Sequence, residues 1–149
     1  MHAPKSRALH VMKIAIALLV PTISLVCVAE DDFLHMMVQG KYLLVGKGLD
    51  SDHTYHGKVE IKEQNGKLTV LRRINGKTTH GAAAIESALD GDAKVLRIKF
   101  AEGESKYEET CMIGSDLDNN ARISCYLYQP KIRTMQPGLE VLFNDHTAK

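Results

Sequence analysis

The chain has no tryptophan, and its large rings are limited to five Tyr and three Phe. A core built from it must rest on aliphatic side chains, with Tyr the main source of ring volume. Also missing are the CxxC, HxH, HExxH and GxSxG spacings, by which thiol redox centres, zinc sites and hydrolase nucleophiles are recognised. Glycines fall at turns or within strand-like runs, not between a strand and a helix, so no phosphate cradle is supported. These absences assign no catalytic residue, metal ligand or cofactor, and the expectation is a protein that is not an enzyme. Repeats of collagen or coiled-coil type and low-complexity tracts are absent as well.

Long apolar runs are scarce too. The one present, Ile14 to Val28, is interrupted by Pro21, preceded by Lys5, Arg7 and Lys13, and followed by Cys27-Val28-Ala29 with small residues before a possible cut. This pattern reads as a secretory signal peptide over residues 1–29. A retained anchor is the blander alternative, but the run is short of the ~20 residues a span needs, so no stable membrane span is expected after its removal. Met12-Lys13 directly before the run already makes a complete signal, leaving Met1 and Met12 both open as starts. Ser24-Leu25-Val26 is a poor approach to Cys27 as a lipid acceptor.

From Glu30 onward, 16 Lys and Arg face 18 Asp and Glu, a net charge of −2, which leaves no basic footprint for nucleic acid. Cys111 and Cys125 remain, and an even pair in an exported chain is most simply a disulfide. A length of 149 residues at 44% hydrophobic and 25% charged fits one domain, residues 30–149. The localisation expected is exported, periplasmic or secreted.

What is present is turn chemistry. Asn65-Gly66 and Asn75-Gly76 lie ten residues apart, each flanked by alternating apolar and polar residues. Both residue types tolerate the positive φ of a two-residue type I′ hairpin turn. Eight strand-like runs are expected near 41–47, 55–63, 67–74, 77–86, 94–100, 105–113, 120–128 and 138–144, bounded by turn residues. Such spacing predicts an all-β fold, an antiparallel up-and-down meander of about eight strands closing into a small barrel. The Gly138–Phe143 run would pair with the first strand, and the segment from Glu30 to Gln39 would cover one end.

Two-residue turns fix register. The first Asn-Gly pair sets Ile61 opposite Val70, Val59 opposite Arg72 and Gly57 opposite Ile74; the second sets Thr79 opposite Arg72, Gly81 opposite Val70 and Ala83 opposite Leu68. Asp90-Gly91 as a two-residue turn pairs Ile85 with Leu96 and Ala83 with Ile98. Gly103-Glu104 pairs Phe100 with Tyr107 and Ile98 with Glu109. A hairpin centred on Asp118 brings Cys111 opposite Cys125, within disulfide range for facing strand residues. One apolar face runs through all of these pairs, with Leu71 the apolar exception on the reverse.

Arg72 and Glu109 fall on that inward face, where an unpaired charge is expensive. In one reading they are polar anchors for a ligand, Arg72 with Thr79 and Glu109 with Tyr107. In the other they pair with each other, with Tyr hydroxyls or with water. Arg72→Ala separates the two: an anchor loses binding with the fold kept, a structural pair loses stability. Gly81-Ala82-Ala83-Ala84 supplies little volume, so either a cavity lies beside it or a neighbour such as Phe100 fills the space. Asp116, Asp118 and Asn120 mimic the start of a calcium loop, but Ala121 and Leu127 stand where Gly and Glu are required, and an ordinary turn is expected. His53 and His56 have no reason to converge.

Gly40-Lys41-Tyr42, Gly46, Tyr55-His56-Gly57-Lys58-Val59-Glu60-Ile61, Gly76 and Gly81-Ala82-Ala83-Ala84-Ile85 resemble the pattern of uncharacterised bacterial exported proteins with a lipocalin-like, or calycin-like, β-barrel. The resemblance covers roughly residues 40–100. Lipocalins and avidin-type barrels usually carry Gly-x-Trp at the first strand, where this chain has Gly40-Lys41-Tyr42. The function expected is an exported, non-enzymatic binding protein holding a small apolar or amphipathic ligand in the barrel. Arg72 and Glu109 would be its anchors, with Thr79 beside Arg72 and with Tyr42, Phe100 and Tyr107 as walls. The alternative is a protein-interaction module, an inhibitor or envelope component, with a filled barrel. It would meet an envelope or secreted partner through the loops Leu49–Thr54 and Gln129–Pro137.

Overall fold

A computed structural model of the chain describes residues 26–116 and 119–147. The expected signal segment lies outside these except for Val26–Ala29, which open a helix, α1 (Val26–Val38). Eight strands follow: β1 (Gly40–Lys47), β2 (Thr54–Gln64), β3 (Lys67–Ile74), β4 (Lys77–Ala88), β5 (Ala93–Glu102), β6 (Ser105–Asp116), β7 (Asn119–Tyr128) and β8 (Gly138–Asn144). Each pairs antiparallel with the next, and β8 returns to β1, so the sheet closes as a meander barrel. Closure leaves no edge strand exposed for intermolecular pairing. Among the described residues no helix is long and apolar enough to cross a membrane.

The Asn-Gly turns behave as their chemistry requires. Asn65 and Gly66 adopt φ of 54° and 74°, Asn75 and Gly76 φ of 50° and 76°, the left-handed pair of a type I′ turn. The expected registers follow, with Val59 opposite Arg72, Arg72 opposite Thr79, Ile85 opposite Leu96, Phe100 opposite Tyr107 and Cys111 opposite Cys125. Between β4 and β5 the turn is longer than two residues. Leu89, Asp90 and Gly91 form a 3-10 turn closed by the Asp92 N–H donating to the Leu89 carbonyl. Lengthening a hairpin loop by one residue on each side leaves the sum of paired positions unchanged, so the register survives. Between β6 and β7 a register shift falls at Gly114/Asp116; Asp118, on which that hairpin was centred, lies outside the described residues.

Inside the barrel, Leu44, Ile61, Val70, Leu96, Ile98 and Leu142 form a continuous buried cluster. Cys111 and Cys125 are joined by a disulfide across β6 and β7, with Cα atoms 4.0 Å apart. The two barrel ends differ. At the end where β1 begins, Val38 at the foot of α1 is fully buried, and its carbonyl accepts the Tyr42 hydroxyl at 2.8 Å; burial pushes that phenol up to about 12. Lys94 at the start of β5 pairs with Asp31 of α1 at 2.9 Å. The helix thus covers this end, as the lead-in segment was expected to do.

At the opposite end the β1–β2 and β7–β8 loops are tied together. Asp50 donates its N–H to the Gln136 carbonyl at 3.0 Å, and its carboxylate accepts the N–H groups of Met135 and Gln136 at 2.8 and 2.7 Å. This end is left open, and the candidate site lies there.

Candidate functional site

Four strands send polar groups into the upper interior. Alternation along β3 points Val70, Arg72 and Ile74 inward, and the same parity turns Glu109 of β6 and Glu140 of β8 to the core. Arg72 is 2% exposed, Glu109 0% and Glu140 1%. The guanidinium reaches across the barrel to both carboxylates. Its Nη1 donates to Glu109 Oε1 at 2.5 Å and to Glu140 Oε2 at 2.8 Å, while Nη2 donates to Glu140 Oε1 at 2.6 Å. From β2, the Tyr55 hydroxyl donates to the same Glu140 oxygen. Charge-assisted forks of this kind give strong, directional contacts.

The titration of each group follows from this arrangement. Burial works against the Arg72 charge, but the Glu140 hydrogen bond and the charges of Glu109 and Glu140 outweigh it, and its pKa moves further up. Tyr55 is raised by burial first, then by the charge of Glu140 and the hydrogen bond to it. Glu109 is pushed up to about 8, chiefly by burial, with Glu140 adding to the effect and Arg72 opposing it. Two carboxyl groups around one guanidinium in a dry interior resist being charged together.

Above this cluster lies a cavity of about 280 Å³ at the open end. Arg72 contributes to its floor, Tyr55, Phe100 and Tyr107 supply rings, and Leu49, Ile74 and Leu127 supply aliphatic wall. Phe100 and Tyr107 stack with centroids 5.3 Å apart, and the Arg72 guanidinium sits 4.1 Å from the Phe100 centroid, a cation–π contact. The strand of small residues explains how Phe100 fits. Gly81 lies opposite it, and a Cβ there would come within 2.7 Å of the Lys99 carbonyl oxygen and 3.1 Å of the Phe100 Cβ. Phe100 therefore fills the space beside Gly81.

Of the expected site residues, Arg72, Phe100 and Tyr107 meet at the cavity. Glu109 lies sealed beneath it, bound to Arg72 rather than to Tyr107. Thr79 is a buried neighbour of Arg72 across β3 and β4, yet among the described residues Arg72 donates to the two carboxylates and not to Thr79. Tyr42 sits at the helix-covered end and is absent from the cavity lining. Glu140 and Tyr55 were not singled out as site residues. Their signal was parity: Gly46 faces Tyr55 on one side and Glu140 on the other, so the residues flanking an inward glycine share its face. Glu109 and the two cysteines place ligand-type atoms within 4.8 Å of one another, but the sulfurs are bonded to each other and offer no thiolate to a metal. His53 and His56 are both exposed.

No family model matches the chain, and no curated protein does. Among solved structures the chain is similar to a de novo designed fluorescence-activating β-barrel. The two share 13% identity at a TM-score of 0.51, over 74% of this chain and 96% of that one. The likeness is one of fold, a β-barrel.

Proposed function

We propose that the protein is a non-enzymatic binding protein that takes a small, partly apolar ligand into the open end of the barrel. The carrying observation is the asymmetry of the ends: α1 covers one, while the other holds a ring-lined cavity of about 280 Å³. That volume lies near the lower bound of ordinary ligand pockets, ~300 Å³, so the ligand is small. The designed barrel it resembles is described as fluorescence-activating, and the argument for a ligand here rests on this chain's own cavity. In this reading the barrel is lipocalin-like and exported to the periplasm or medium after removal of residues 1–29. The disulfide supports export, because such bonds persist in oxidising compartments.

Native mass spectrometry of protein purified from its own host tests the reading. A reproducible added mass, lost when Ile74→Trp fills the cavity, supports it. A bare polypeptide from the unsubstituted protein counts against it.

A protein-interaction module is the second reading, and a separate observation favours it. Leu43, Val45, Met112, Tyr126, Leu139 and Phe143 are 41% to 69% exposed and adjoin one another on the outer face of β1, β8, β7 and β6. They leave on the order of 500 Å² of apolar surface, toward the upper end for a monomer, and two such faces together come to about 1,000 Å², the minimum expected of a biological interface. A second copy of this chain is the occupant that area supports. Light scattering should then find a dimer that Leu139→Lys with Met112→Lys converts to monomer; a monomer from the start overturns it.

A further inference from the structure

The small-ligand reading leaves open which chemistry the cavity accepts, and the state of Arg72 decides it. A buried arginine beside a pocket suggests a hook for carboxylates or phosphates. Here that role is already filled. Both terminal nitrogens of Arg72 donate to Glu109 and Glu140, and two carboxyl groups surround one guanidinium. At the rim, Glu102 adds a third carboxylate, held by Lys77 at 3.2 Å. An anion entering the cavity would meet a cation already balanced by Glu140 and with both terminal nitrogens engaged.

One donor remains. The Arg72 Nε is buried without a hydrogen-bond partner, although a buried N–H normally finds an acceptor. The other polar groups beneath the cavity are engaged, since Tyr55 donates to Glu140. Apart from Asn75 and Glu102, the walls are mostly rings and aliphatic chains, suited to the faces of a flat molecule. We infer that the cavity takes an uncharged, ring-bearing molecule and disfavours carboxylates and phosphates. This rests on the small-ligand reading above.

Two probes with the same ring but different charge separate the possibilities: tryptophol, which is neutral, and indole-3-acetate, an anion. Binding to the purified, disulfide-intact protein is followed by ligand-observed NMR titration, with Ile74→Trp to show that the signal arises in the cavity. Tryptophol should bind about tenfold more tightly, the scale of one unfavourable charge contact in a partly buried site. Glu140→Gln should narrow that gap by strengthening indole-3-acetate binding, and Glu102→Gln, at the rim and outside the buried cluster, should narrow it without risk to the core. Equal or tighter binding of indole-3-acetate overturns this inference and leaves the small-ligand reading standing. If neither probe gives a signal sensitive to Ile74→Trp, the small-ligand reading falls, and this inference with it.

Discussion

Gly46 lies between Tyr55 and Glu140 in the barrel wall, and it is the absence of its side chain that lets those two meet. A Cβ at Gly46 would stand 2.8 Å from ring carbons of Tyr55 and 3.0 Å from the Glu140 Cγ, closer than packed atoms tolerate. The carboxylate that holds both Nη atoms of Arg72 therefore depends on a glycine in a neighbouring strand.

Gly46→Ala should accordingly lower stability by about 1–3 kcal/mol through overpacking. Urea titration measures the loss. The phenol of Tyr55 should titrate at lower pH in the variant, because its bond to Glu140 is disturbed; ultraviolet absorbance of tyrosinate reads this. An unchanged midpoint would show that the wall relaxes freely around the added methyl.

Arg72→Ala removes the cation from two buried carboxyl groups, and breaking such a cluster by deleting one partner costs about 3–5 kcal/mol. Replacing all three ionisable groups together, as Arg72→Met with Glu109→Gln and Glu140→Gln, should recover most of that loss. Chemical denaturation of the two variants side by side is the check. Equal destabilisation in both would mean that packing, not charge pairing, sets the value of the site.

Stability should fall as pH rises from about 4.5 to about 8. Glu109 has its folded pKa raised to about 8 from an ordinary 4.5. Between those values the folded state holds a proton the unfolded state has released, so this stabilising term is full below the lower value and lost through the upper one. Its slope approaches about 1.4 kcal/mol per pH unit in mid-window. Melting temperatures across that range should decline, and Glu109→Gln should flatten the decline.

Reduction of Cys111–Cys125 should weaken the fold without dissolving it. The bridge spans 14 positions in the sequence, and closing a loop of that length contributes about 3 kcal/mol in the chain-entropy model. Denaturation with and without reductant should show a shift of that order at an unchanged native circular dichroism spectrum.

Local chemistry was enough to specify most of the barrel. Asn-Gly turns dictate pairing through their positive φ, and each pairing carries its register to the next strand, which is why the facing of Arg72 with Thr79, Phe100 with Tyr107 and Cys111 with Cys125 was legible without coordinates. The reach of that logic ends at the β7–β8 connection. The long loop between Tyr128 and Gly138 transmits no register, and in β8 the apolar residues Leu139 and Phe143 face outward while Glu140 faces in. Hydrophobic alternation read alone points that strand the other way. Only closure against β1, which seats Glu140 beside Gly46, settles its parity. Closure also decides the partners of Arg72, because Glu109 and Glu140 reach it across the barrel interior and not along any hairpin. Turn geometry is written in neighbouring residues, whereas contacts across a lumen exist only once the sheet has curved shut.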